Sequence, residues 1–312
     1  MMRDRLYVDG IDIYLEYGVY VPDNDWASLV AYPSLKTPDQ NDWQEEDGIE
    51  VDLSAPVLDT REVRLSFLLN DVYGSFSDFL ALVSDGAFHT FDVVTIQRTF
   101  KLRLVSQGKI ECSDIFRRET LVFADDYPLD GYTYVAPQSG LPSSDAYAVD
   151  DIPTTDYGMR VLAGTLAEVV KTPAVKTGLL RNINTQAGAI YDSGAQVFFK
   201  SKDVKLNCLF RAESLPELWR NYYAFLHDLI KPGERLLYVK DYEQELPFYY
   251  RSCSVKEFFP EGRIWIGITI TIRLTRDFRI DDGAIIASED RIIIVTEGRT
   301  EDELISLRKV RT

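Results

Sequence analysis

The sequence is poor in the residues that build metal centres, disulfide frameworks and catalytic triads. Its 312 residues include three cysteines and two histidines. Cys112, Cys208 and Cys253 are odd in number and lack CxxC spacing, which is typical of reduced, buried thiols in a protein made in a cytosol. His89 and His227 lie far apart and show no HExxH or HxH spacing. We therefore expect neither a histidine-based metal site nor a catalytic triad. The segments at 23–25 and 39–42 resemble fragments of a calcium loop but complete no EF-hand, so calcium binding stays open.

Several signature motifs are also missing. The sequence contains no GxGxxG, no GxxxxGK followed by Ser or Thr, and no GxSxG, so it predicts no enzyme and no cofactor. It has no apolar run of about 18 residues, so no membrane-spanning segment is predicted. The first ten residues lack the apolar core of a signal peptide, and we expect none.

Positive charge is scarce in the first half of the chain. Residues 1–156 contain 11 Lys and Arg against 29 Asp and Glu, a net charge of −18, whereas residues 157–312 contain 23 against 21, a net charge of +2. Such a negative field repels nucleic-acid backbones and disfavours sequence-specific DNA binding. Two interpretations remain open: a well-solvated surface, or a wall past which an anionic molecule slides without sticking.

What the sequence does contain is one stretch that occurs twice, at residues 33–69 and 173–210. After an inserted residue, a shift of 141 positions aligns Arg61–Leu65 with Lys202–Leu206, and every charge keeps its sign. This repeat predicts two copies of one module, beginning near Glu16. Before the insertion, the residues identical at a shift of 140 positions are Pro33, Lys36, Thr37, Gly48, Asp52, Ala55 and Val57.

The patterning predicts a mainly β fold with a minor α+β character. It consists of two tandem β-sandwich or barrel modules from an internal duplication, each with one flanking helix. Ser75 and Ser214 are predicted to cap those helices, and a hairpin is predicted over residues 5–21. The domain prediction is a first module at 1–127, a linker rich in Pro, Gly and Ser at 128–155, a second module at 156–280 and a C-terminal hairpin or extension at 281–312.

Residues in the long loop of the first module and in the linker are candidates for contact with a partner or a channel. Long loops in compact domains are usually functional or part of an interface. Carboxylates such as Asp47, Glu50 and Asp52 leave glycoside hydrolysis open, but acidic clusters in so acidic a half favour solvated loop charges. The candidate residues are Trp26, Asp39, Asp42, Trp43, Glu45, Glu46, Asp47, Tyr132 and Tyr134.

The order of elements resembles the module shared by distal tail and tail-tube proteins of long-tailed bacteriophages. The resemblance is carried by DTREVRLSFLL, FSDFLALVSDG and TFKLRLVSQG, which are followed later by SKDVKLNCLF, LWRNYYAFLHDLIKPG and PFYYRSCSV. It covers nearly all of residues 1–280. It implies a non-enzymatic virion protein, made in the bacterial host cytoplasm, whose modules join sheet to sheet in a ring around a DNA channel.

The resemblance also implies partners. These are further copies of the chain, as a trimer or hexamer, and other tail proteins of the tube, hub and tape-measure classes, with DNA passing through unbound. Distal tail proteins usually carry one ring-forming module, whereas here the second domain resembles the first. Three chains would then present six quasi-equivalent modules. A carbohydrate-binding or carbohydrate-cleaving β-sandwich is the alternative, since exposed aromatics can stack on sugar rings.

Overall fold

The computed structural model describes residues 5–22, 26–69, 75–112, 117–176, 180–182, 185, 187–191, 197–276, 286–287 and 293–294. Two modules follow each other along the chain, each built on a seven-stranded antiparallel sheet. The first contains β1 (Leu6–Val8), β2 (Ile11–Asp12), α1 (Ile13–Tyr17), β3 (Val19–Tyr20), α2 (Ala27–Val30), β4 (Gln40–Asn41), β5 (Glu50–Val51), β6 (Arg61–Leu69), α3 (Phe76–Val83), β7 (His89–Val93), β8 (Arg98–Cys112) and β9 (Arg117–Asp125).

The second module repeats this series with longer strands and a longer main helix. A small additional hairpin, β19 (Ile286–Ala287) with β20 (Ile293–Ile294), follows it. The module contains β10 (Tyr147–Val149), β11 (Ile152–Pro153), β12 (Met159–Val161), α4 (Thr165–Val170), β13 (Leu180–Asn182), β14 (Ala189–Tyr191), β15 (Lys202–Ala212), α5 (Leu215–Leu229), β16 (Arg235–Val239), β17 (Gln244–Phe259) and β18 (Ile264–Leu274).

The two sheets have the same topology. Their strand orders are β2-β1-β7-β8-β9-β6-β3 and β11-β10-β16-β17-β18-β15-β12, which correspond strand for strand. A register shift interrupts the pairing at the same place in each, between Leu104 and Ser106 in β8 and between Tyr250 and Ser252 in β17. The mainly β fold with a helix beside each sheet is confirmed.

Local sequence signals explain most of the strands and helices. In β18 buried and half-buried residues alternate along the whole strand, because successive side chains of a strand point to opposite faces. The Ser75 and Ser214 side chains accept hydrogen bonds from the amides of Asp78 and Glu217, as N-cap residues do. The apolar stripes of the two helices then cover the sheets.

Matching hydrogen bonds also recur in the two modules. Arg61 at the start of β6 donates to the carbonyls of Leu29 and Ala31, at the end of α2. Lys202 at the start of β15 donates to the carbonyls of Val169 and Lys171, at the end of α4. In both modules a long cationic side chain therefore satisfies carbonyls that a short helix leaves unpaired.

The hairpin turns match in the same way. Asp9, with φ 50°, accepts hydrogen bonds from the Thr90 amide and from the His89 ring. Asp150, with φ 49°, accepts them from the Leu236 amide and from the Arg235 guanidinium.

Two expectations need correction. The predicted hairpin over residues 5–21 is interrupted by α1, because Asp12 caps that helix and Gly18 ends it in the left-handed conformation. Strands β10 and β11 lie within the predicted linker but belong to the second sheet. The repeat therefore begins at β1 and β10 rather than near Glu16.

Candidate assembly interface

A loop of the first module lies across the second module. We call residues 30–58 the docking loop, and we call the second-module residues that it contacts the receiving face. Four backbone hydrogen bonds of 2.8 Å attach it there. They run from the amides of Leu35, Gly48, Ile49 and Gly233 to the carbonyls of Arg251, Phe199, Thr275 and Leu53, in that order.

Lys176 fastens the centre of the docking loop. The residue is 4% exposed, and its Nζ donates to the carbonyls of Trp43, at 2.5 Å, and Gly48, at 2.8 Å. It also forms an ion pair of 2.6 Å with Asp42. A buried ammonium group needs such partners, because leaving it unpaired in the interior is costly. Docking of the loop and burial of this lysine are therefore one event.

Gly48 is the point of closest approach. A Cβ atom there would lie 1.7 Å from the Thr275 carbonyl oxygen, and the residue has φ +76°. Both the space and the backbone angle therefore require glycine. The neighbouring Asp47 carboxylate accepts a hydrogen bond of 2.7 Å from the Phe199 amide.

Tyrosine hydroxyls join the base of the docking loop to helix α5. Tyr32 donates to the Tyr222 carbonyl at 2.6 Å, Tyr222 donates to the Val30 carbonyl at 2.8 Å, and the two rings lie 4.1 Å apart. Burial raises the pKa of both tyrosines well above the usual value. Nearby, Tyr250 donates to the Pro33 carbonyl and Trp219 to the Ile96 carbonyl. Each buried polar group thus gains a partner from the other module.

An apolar patch seals the far end of the docking loop. Ile49 and Leu53 pack against Tyr249 of β17, with Leu35 partly buried beside them. Tyr249 is 3% exposed although it lies on the face of the sheet away from the module's own core cluster. The docking loop therefore covers a strand face that would otherwise meet solvent.

The acidic candidate residues occupy the tip of the docking loop. Asp39, Asp42, Glu45 and Glu46 are exposed, whereas Asp47 is half-buried. Asp42 and Asp47 contact the second module through Lys176 and Phe199, as described above.

The two tryptophans of this region differ in burial. Trp43 is 51% exposed and donates its indole hydrogen to Glu50 at 3.2 Å. The structure places Trp26 in the core at 2% exposure, so it is not available to a partner in the folded chain.

Tyr132 and Tyr134 hold the linker against α5. Tyr132 lies over Tyr223, and the Tyr134 ring lies 4.6 Å from the His227 ring. The Asp228 carboxylate accepts a hydrogen bond of 2.6 Å from Tyr157 and pairs with Lys231 at 2.7 Å. Although burial opposes the charge, these partners hold the pKa of Asp228 below its usual value.

A cavity of about 630 Å³ lies between the linker and the first module. It is lined by residues 97–101 of the first module and by residues 128–133 of the linker, which include Tyr132.

Lys176 and Gly48 are the residues of this interface that sequence reasoning missed as functional. Both appeared in the repeat, as partners of Lys36 and Gly188, but their role depends on contacts with residues more than 120 positions away. Within the described residues, no three His, Cys, Asp or Glu side chains form a group that could hold a metal ion. No helix in the same ranges is long and apolar enough to cross a membrane.

Fold and interface together define a tandem two-module β protein whose loops make module-to-module contacts. The chain matches a solved structure over most of its length, that of the SPP1 Dit protein (gp 19.1), described as a paradigm of the hub adsorption apparatus in phages that infect Gram-positive bacteria. The match covers 87% of this chain and 98% of that chain, with 12% sequence identity and a TM-score of 0.30. At that TM-score we base no argument on it. No family model and no curated protein matches the chain.

Proposed function

We propose that this chain is a non-enzymatic structural component of a bacteriophage tail tip, of the distal-tail class, and that its modules build a ring around a DNA channel. The observation that carries the proposal is the docking loop. It joins two modules of one topology side by side, through contacts that depend on module surfaces rather than on the linker. Such a joint can be repeated from chain to chain.

The tandem arrangement supports a trimer. We infer that the modules arose by internal duplication, because strand order and bulge position recur in both. The side chains of Arg61 and Lys202, which bind the carbonyls at the ends of α2 and α4, recur in the same way. Three chains then supply six modules, and each ring has two kinds of interface, one within chains and one between them. Such a ring suits a junction between six-fold and three-fold parts of a tail.

The acidic first half supports passage of DNA without binding. Asp39, Asp42, Glu45 and Glu46 lie exposed on one loop, so their field reaches solvent. In a ring, a row of such loops would repel the phosphate backbone and keep it from adhering. The partners of the ring are further tail proteins above and below it, and the location is the virion.

Native mass spectrometry and negative-stain microscopy of the purified chain test the proposal together. We expect trimers at micromolar concentration and rings with a central opening. DNA added at moderate ionic strength should remain unbound in a gel-shift assay. A chain that stays monomeric at high concentration, or that assembles into a twelve-module ring, contradicts the trimer. A solid particle with no opening contradicts the channel.

The carbohydrate-binding alternative predicts a different result. A glycan array probed with the soluble chain should show a specific sugar signal if that alternative holds, and none if the chain is a ring component. Trp43 is the exposed indole that such a site would use first.

A further inference from the structure

The docking loop has a counterpart in the second module at residues 170–198, which we call the second-module loop, and its described edge at Val175 is uncovered. In the first module, Leu35 pairs with Leu58 in an isolated bridge and its amide donates to the Arg251 carbonyl. In the second module, Val175 pairs with Phe199 in the corresponding bridge. The Val175 amide has no backbone acceptor among the described residues, and the side chain is 54% exposed. The backbone edge at Leu35 is therefore bound to the other module, whereas the equivalent edge at Val175 has no such partner among the described residues.

The receiving face also has an uncovered counterpart, on the first module. Residues of β8 correspond to residues 146 positions later in β17, as the pairing of Val93 with Arg98 and of Val239 with Gln244 shows. Arg251, whose carbonyl accepts from Leu35, lies at the β17 bulge. Val105 lies at the β8 bulge and is 53% exposed.

Two equivalent lysines differ in the same sense. Lys176 is buried inside the docking loop, whereas Lys36, 140 positions earlier, is exposed. Within the described part of the chain, Lys36 Nζ makes no hydrogen bond or ion pair. If the second-module loop docked as the first one does, it would enclose Lys36 of the module it met.

Gly48 and Gly188 complete the comparison. Gly188 has φ +85°, as Gly48 has φ +76°, but a Cβ atom at Gly188 would meet nothing within 4 Å. The backbone keeps the conformation that close docking needs at Gly48, at a place where no described residue lies within 4 Å. The residue equivalent to Thr275, which Gly48 meets, is Asp126.

From these four contrasts we infer that the second-module loop of one chain docks onto the first module of another copy, through a head-to-tail contact that reproduces the contact within the chain. Val175 meets the β8 bulge at Val105, Lys36 enters the second-module loop, and Gly188 approaches residue 126. The partner is a second copy of this chain. The inference rests on the proposed ring and names the surface that closes it.

The contact between chains is predicted to be weaker than the contact within one. The apolar patch of Ile49 and Tyr249 is replaced, at equivalent positions, by Ala189 and Arg103. The contact between chains then removes less apolar area from water than the contact within the chain, so its binding free energy is less favourable. The chain would fold as a joined pair first and assemble afterwards, in a concentration-dependent step.

Cysteine cross-linking tests the register of this contact. One chain carries Val175→Cys and the other Val105→Cys, both in a Cys112→Ser background. The mixture, once oxidised, should give a cross-linked dimer that neither variant gives alone, since paired backbone positions lie within disulfide reach. Leu15→Cys, exposed but outside the proposed surface, replaces Val105→Cys as the control and should give none.

Two further variants test the contact without cross-linking. Gly188→Ala and Lys36→Glu should each raise the concentration for half-assembly by roughly tenfold or more, while the thermal unfolding of Lys36→Glu stays unchanged. Gly262→Ala, in the turn between β17 and β18 and outside the proposed surface, has φ +70° and nothing within 4 Å, so it carries similar backbone strain and should assemble normally. If the wild type forms rings but the cysteine pair gives no cross-link and both variants assemble normally, this inference is overturned while the proposed ring stands. A wild-type chain that never associates overturns the proposed ring as well.

Discussion

Replacing Lys176 with methionine should release the docking loop while leaving both sheets folded. Methionine keeps most of the apolar stem but removes the ammonium group that donates to the Trp43 and Gly48 carbonyls. A buried carbonyl left without a donor costs about 1–3 kcal/mol, and the bond to the Gly48 carbonyl is buried whereas that to the Trp43 carbonyl is part-buried. The ion pair with Asp42 adds less than about 1 kcal/mol, because that carboxylate is 47% exposed.

The gain from no longer burying a charge offsets part of this loss. We therefore expect a net cost of about 2–3 kcal/mol to the docked state. At about 1.4 kcal/mol for each factor of ten, this cost corresponds to a roughly 30- to 150-fold increase in loop opening.

Hydrogen exchange followed by mass spectrometry measures this opening directly. The Gly48 and Ile49 amides donate to Phe199 and Thr275 only in the docked loop, so peptides covering residues 44–53 should lose protection by that factor. Peptides from β18 should not change.

Lys36→Met is the matched control, because Lys36 is the equivalent residue and is exposed. It should cost less than about 0.5 kcal/mol in the monomer. Full protection of residues 44–53 in Lys176→Met, or equal loss in both variants, would refute the reasoning.

Four further results are expected. Gly48→Ala should open residues 44–53 to exchange, since its Cβ would collide with the Thr275 carbonyl, and a normally protected loop would contradict so close an approach. Tyr222→Phe should cost about 1–2 kcal/mol in urea unfolding by leaving the Val30 carbonyl unpaired, and a neutral result would argue against that bond. Burial opposes the charge on His89, but its two carboxylate partners raise its pKa, so its contribution is complete below pH about 6.5 and fades as pH rises through the folded value. The stability gap between wild type and His89→Gln should thus narrow as the pH rises above about 6.5, and a constant gap would count against it. Burial lowers the pKa of Lys202 to about 8, so between pH about 8 and about 10.5 this lysine is protonated in the unfolded chain but neutral in the folded one. The free energy of unfolding of the wild type should therefore rise with pH across that range, and that of Lys202→Arg should lack this rise.

Periodic segments were predictable because their signal is local. In β18 the alternation of residues predicts which face is buried, and in α5 the i, i+3, i+4 spacing does the same. Ser214 indicates where the helix begins. Helix α1 was missed although Asp12 and Gly18 flank it, because strand-forming residues between them favour a hairpin. Strands β10 and β11 were missed because the prolines of the linker dominate the composition around them.

The interface could not be predicted in the same way. Its hydrogen bonds run mainly to backbone carbonyls, which every residue has, and they join positions more than 120 residues apart. Trp26 shows the converse error: a tryptophan in a polar segment suggests exposure, but it is the N-cap residue of α2, and its indole is buried in the core. Only the spatial arrangement separates the two tryptophans of this loop region.

For the proposed assembly, the divergence between equivalent positions predicts which contact is made first. Within the chain, Ile49, Leu53 and Tyr249 add an apolar patch to the hydrogen bonds of the docking loop, and the two halves are also tied by the linker. Tethering makes that contact intramolecular, so it forms at any protein concentration. The equivalent positions on the outer surfaces carry alanine, serine and arginine, and the proposed contact between chains has no tether. A chain with both contacts equally strong would polymerise as it folded, whereas unequal contacts let each chain close its internal joint and remain soluble until assembly begins.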